Sequence, residues 1–117
     1  MILEGREIDW AEEFNGAVTV CDKNGIIVYM NQYSIRQFEK YGGKKLLGTN
    51  LLDCHPEPSK TKLKNMLGTQ EENMYTTESS DGVKKLIFQT PWKINNKFKG
   101  IIEISFKLDF QLPNFAR

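Results

Sequence analysis

Towards the C-terminus, apolar and polar side chains alternate with a period of two. Leu86, Phe88, Thr90, Trp92 and Ile94 alternate with Lys85, Ile87, Gln89, Pro91 and Lys93. After Asn95-Asn96-Lys97, the set Ile102, Ile104, Phe106, Leu108 and Phe110 alternates with Ile101, Glu103, Ser105, Lys107 and Asp109. Such a period sends successive side chains to opposite faces, so both runs are predicted as half-buried strands joined by a turn. Residues 73–79 form a shorter strand before a Ser80-Asp81-Gly82 turn. Upstream, the β-prone runs 17–22 and 26–30 flank Lys23-Asn24-Gly25, a hairpin signal. Asn31 is suited to cap a helix in which Ile35 and Phe38 stand three apart, and Gly42-Gly43 stops it. Residues 44–57 read as loop and short helical turns. Pro58 then suits the first turn of a helix whose Leu63, Met66 and Leu67 share one buried face. At the N-terminus, Leu3, Glu7, Trp10 and Phe14 fall at spacings of three and four, with Ala11 widening the stripe. This predicts an amphipathic helix over about residues 6–14.

Five strands with helices gathered mid-sequence imply an α+β fold, an antiparallel sheet covered on one face by helices. The apolar phase of the long strands, with Tyr29, Tyr33 and Phe38, is expected to face those helices. It forms either a packed aromatic core or a pocket lined by Tyr33, Phe38, Met66, Phe88 and Ile104, with His55 a further pocket candidate; sequence does not separate the two. Ile87, Pro91 and Ile101 interrupt the polar phase and are placed on the outer face, beneath Trp10 and Phe14 of the N-terminal helix. That helix comes from the same chain or a partner's, and a homodimer is expected. Pro91, lacking an N–H, should mark a bulge or the end of pairing with the short strand.

A length of 117 residues suits one domain (1–117) with its core at about 15–110, and 39% hydrophobic and 26% charged residues suit a globular protein. No run approaches the roughly 20 apolar residues of a membrane span, and the acidic N-terminus lacks a signal-peptide pattern. A cytoplasmic location is expected. The net charge of +1 gives no pull towards nucleic acid or anionic lipid, and the lysine clusters at 44–45, 60–64 and 84–85 read as solvated faces. Two cysteines make no disulfide framework.

The order of certain residues resembles the PAS domain family. They are Asp22-Lys23-Asn24-Gly25, Asn31, Phe38, Tyr41-Gly42, Leu47-Gly48, Asp53 with His55-Pro56, Asp81-Gly82 and Gly100-Ile101-Ile102-Glu103, together covering about residues 14–110. The resemblance is closest to compact bacterial PAS proteins. It implies the first hairpin beside the last strand, a ligand between sheet and helices, and a partner on the outer face or N-terminal helix. Members bind haem, flavins, small carboxylates or nothing, so the ligand stays open. No kinase, cyclase or DNA-binding output motif accompanies the pattern.

The sequence offers little chemistry beyond this. His55 is the one histidine, and its place before Pro56 argues for a hydrogen-bonded structural role over haem ligation. Cys54 adjoins it, but neighbouring side chains point apart and no second histidine exists to complete a nucleophilic site. Cys21, Cys54 and His55 lack the paired spacing of a zinc site. The position of the photoreactive cysteine in light-sensing members of the family holds Leu51. Asp22 and Asp81 are expected to bond turn amides, and Glu103 falls on the polar phase of its strand. The expectation is a non-enzymatic sensor acting through a dimer or a partner signalling protein. The alternative is a ligand-free interaction module.

Overall fold

The computed structural model describes residues 2–108 and 111–117, with the Cys54 side chain outside the described set. Phe110 and Asp109 of the last alternating run therefore lie outside the described residues. The expected sheet is present. Strands β3 (Ala17–Asp22), β4 (Ile27–Met30), β5 (Asn73–Glu78), β6 (Lys84–Ile94) and β7 (Lys97–Lys107) form one antiparallel sheet, ordered β4-β3-β7-β6-β5. The first hairpin thus lies beside the last strand. Between the halves come helix α1 (Gln32–Gln37), three short 3-10 turns and helix α2 (Ser59–Thr69).

Local chemistry explains the joints. Asp22 Oδ1 accepts from the amides of Asn24 and Ile26 at 2.9 and 3.0 Å, closing the first hairpin loop. Asn95 and Asn96 both adopt positive φ, 50° and 65°, as a two-residue turn between right-twisted strands demands. Gly100 approaches β3 so closely that a Cβ there would lie 1.9 Å from the Cys21 carbonyl oxygen, so only glycine fits. The Trp92 indole reaches past it to donate to that same carbonyl at 3.0 Å. Pairing between β5 and β6 ends at Gln89, and Pro91 stands just beyond it, as expected.

The N-terminal helix expected over about residues 6–14 is absent. Instead β1 (Ile2–Leu3) pairs with β2 (Arg6–Glu7) across Glu4 and Gly5, whose φ values are 52° and 73°. This two-residue turn takes Leu3 and Glu7 out of the helical stripe, and residues 10–13 are left as turn, too short a remnant to nucleate a helix. Trp10 and Phe14 meet edge to face at 5.8 Å and stay exposed. The segment is tied instead to α1: Asn31 Nδ2 donates to the carbonyls of Ala11 and Gly16 at 2.8 and 2.9 Å. Tyr29 and Gln32 both donate to the Glu12 carboxylate, at 2.8 and 2.7 Å.

The core lies between sheet and helices. Cys21, Ile27, Met30 and Ile101 from the strands pack with Leu51 and with Leu63 and Met66 of α2. Because Ile101 is in this core, register fixes the faces, and they are the reverse of those expected. Ile87, Gln89, Pro91, Ile101, Glu103 and Ser105 face the helices, whereas Leu86, Phe88, Trp92, Ile102, Ile104 and Phe106 face outward.

Candidate functional site

Antiparallel register aligns one row of side chains across the inner face. Asn73 of β5 lies opposite Gln89 of β6, Gln89 opposite Glu103 of β7, Glu103 opposite Thr19 of β3, and Thr19 opposite Met30 of β4. Four of these five are polar, in the layer where a sheet under helices is ordinarily apolar. They are linked. Asn73 Nδ2 donates to Gln89 Oε1 at 3.0 Å, Gln89 Nε2 faces Glu103 Oε1 at 3.5 Å, and the Thr19 and Ser34 hydroxyls share a 2.6 Å hydrogen bond. Gln89, Thr19 and Ser34 are buried.

Electrostatics follow from that setting. Burial pushes the Glu103 carboxyl above its usual range, an effect the His55 ring and the Gln89 amide partly counter. Burial likewise raises the Tyr75 hydroxyl, helped by the charge of Glu103 and opposed by its hydrogen bond to Gln89. Cys21 is held up by desolvation, a protonated thiol in the core. His55 sits between the last 3-10 turn and α2. Its Nδ1 lies 2.9 Å from the Leu51 carbonyl oxygen, which only accepts, so Nδ1 carries the proton.

Two spaces adjoin the row. An enclosed void of about 10 Å³ is walled by Thr19, Ile27, Met30, Phe38, Leu46, Leu51, His55 and Glu103, room for about one water. On the other side of Gln89 an open cleft of about 350 Å³ runs between α2 and the β5–β6 pair, lined by Pro58, Ser59, Lys62, Asn73, Tyr75 and Gln89. Haem and flavin do not fit the void beside His55. Each needs an apolar slot of several hundred Å³, and the enclosed space beside His55, the one histidine, is far smaller. No group of three or more His, Cys, Asp or Glu gathers to hold a metal among the described residues.

Of the residues expected from sequence to line a pocket, Phe38 and His55 meet at the void, and Met66 lies nearby, buried in the core. Tyr33 stands apart, in a basic cleft with Arg36, Gln37, Lys85 and Lys107. Phe88 and Ile104 are cross-strand partners on the outer face and line neither space, because the apolar phase points away from the helices. Of the interface candidates, Ile87, Pro91 and Ile101 face inward, and Ile101 belongs to the core. Trp10 and Phe14 are exposed near the N-terminus. Sequence reasoning missed Asn73, Tyr75, Gln89 and Glu103 as a group. The available signal was a glutamate inside Ile101-Ile102-Glu103-Ile104.

The five-stranded antiparallel sheet runs in the order β4-β3-β7-β6-β5, with its helices inserted between the first hairpin and the last three strands, and so has the first hairpin beside the last strand as the resemblance implied. It superimposes on the PAS domain of an HTR-like protein from Haloarcula marismortui with a TM-score of 0.62, at 16% identity over 85% of this chain and 86% of that one. The chain has the PAS fold. A sensory box sensor histidine kinase from Vibrio cholerae is similar to this chain with a TM-score of 0.64, at 15% identity over 84% of this chain and 86% of that one. So is the Vibrio cholerae VqmA dimer, with a TM-score of 0.59 at 19% identity; 85% of this chain matches 48% of VqmA. VqmA bound to DPO gives 0.61 at 18%, covering 87% and 56%. This chain therefore spans about half the length of VqmA. No protein-family model matches the sequence, and no curated protein does. No helix among the described residues is long and apolar enough to cross a membrane.

Proposed function

We propose that this PAS domain is a non-enzymatic sensory module of the cytoplasm. It takes a small polar molecule between sheet and helices and transmits occupancy through a homodimer or partner interface on the outer sheet face. The observation that carries this reading is the inverted sheet. Polar side chains that could be on the surface are instead gathered inside and open onto a cleft, while Phe88, Ile102, Ile104 and Phe106 are turned outward. VqmA, described as a dimer and as bound to DPO, has this fold and supports both halves of the proposal. A ligand acts in such a module only through its different affinity for two states.

A second reading, a ligand-free interaction module, is favoured by the small enclosed void and by the absence, among the described residues, of any buried side-chain polar atom lacking a partner. Native mass spectrometry with an absorption spectrum, on full chain purified without added cofactor, separates the two. Expected is a dimer carrying extra mass, with no Soret or flavin band. A bare dimer moves the assignment to the interaction module. A bare monomer that no added molecule stabilises removes both.

A further inference from the structure

Gln89 lines the open cleft and reaches Glu103, which lines the enclosed void. Gln89 is 1% exposed and accepts from Asn73 at 3.0 Å on the cleft side. On the other side its amide reaches Glu103 at 3.5 Å, the long limit of a hydrogen bond. Glu103 in turn lines the void with His55. A carboxylate only accepts, and in a desolvated site it gains most from a close donor. The weak Gln89 contact leaves room for a better one. Lys62 at the cleft mouth is exposed, so its field is screened by salt.

Resting on the ligand-binding reading above, we propose that the molecule taken here is a small N–H donor, a primary amide or amine. It displaces the Gln89 amide and donates to Glu103, and the site discriminates against carboxylates. The cleft's volume of about 350 Å³ limits the occupant to a small molecule. The Asn73 and Gln89 amides both donate and accept, so they can hold the rest of a polar ligand while Glu103 reads its donor.

Benzamide, benzylamine and benzoate share one ring and differ only in this chemistry. Titrated into isotopically labelled full chain, the first two should shift the side-chain amide resonances of Asn73 and Gln89 and bind about tenfold tighter than benzoate. Glu103→Gln should abolish the amine's advantage and leave benzamide within about threefold. If that variant fails to fold, lowering the pH of the native protein until Glu103 is protonated must abolish the same advantage. Benzoate binding as tightly as the amide overturns the inference yet leaves a ligand-binding PAS domain. No shift with any probe up to about 10 mM, the affinity such small molecules reach, also overturns it. Only that result combined with a bare native mass would take the ligand-binding reading down as well.

Discussion

Burying the Glu103 carboxyl beneath Gln89 and near the His55 ring makes folding depend on pH. Its folded pKa is raised above the ordinary 4.5, so between 4.5 and that raised value the native state binds more protons than the unfolded chain. Stability from this group is then complete below pH 4.5 and is lost as pH rises through the folded pKa. Glu103→Gln keeps the shape and removes the charge. It should unfold a few degrees higher than the native protein at pH 8, a gap of about 1 kcal/mol, with the gap closing near pH 4. Thermal unfolding of both proteins across that range tests this. The carboxylates held below their usual range, at Glu12, Glu57 and Asp81, are common to both and cancel in the difference. Equal melting at pH 8 would mean that the attraction of His55 offsets the cost of burial.

Among the elements, Asn31 is the joint. Its Oδ1 accepts from Val18 N on β3 at 3.0 Å and from Ser34 N in α1 at 2.9 Å, while Nδ2 holds Ala11 and Gly16, all from a side chain with no exposure. Asn31→Ala would leave buried donors and acceptors without partners, and should cost about 3 kcal/mol in denaturant unfolding. Gln32→Ala, removing one exposed contact to Glu12, should cost about 0.5 kcal/mol or less; a similar loss in both would refute the assignment. This cap was legible in sequence because capping is local chemistry, as were the turns at Asn24-Gly25 and Asn95-Asn96 and the period of two in β6 and β7. The face of the sheet was not. Alternation separates two sets of side chains but does not say which set the helices cover, and the ordinary assumption of apolar inside fails where buried Gln89 and half-buried Glu103 form an inward polar row. The N-terminus failed for a related reason: four residues at helical spacing outweighed a Glu4-Gly5 turn whose positive φ angles decide the local structure.

At the scale of the molecule, the inverted sheet presents a continuous surface to be covered. Leu86 opposite Phe106 and Phe88 opposite Ile104 form adjacent cross-strand pairs on the outer face, Ile102 and Val20 extend them towards β3, and Met74 stands at 61% exposure on the edge strand. Leu63 and Met66 of α2 pack in the core on the opposite face, and under the proposed function the outer surface takes another chain. An apolar strip centred on aromatic residues is the composition found at the buried centre of stable interfaces, which cover about 800 Å² per partner. Under the proposed dimer, a second copy would meet the strip with an identical one, since a two-fold axis places the same patch on both sides. Light scattering after gel filtration should accordingly give twice the 13.5 kDa chain mass. Phe106→Lys and Ile104→Glu should each give the single mass, because each would bury an unpaired charge at the centre of the contact. Spectra matching the native protein would show that the monomers remain folded. Lys93→Glu, exposed at the far end of β6, should leave the dimer unchanged. A native protein that runs as a monomer at about 100 µM, well above the dissociation constants of such interfaces, would assign the strip to a different partner chain. The inward polar row would then report to that partner rather than to a second copy.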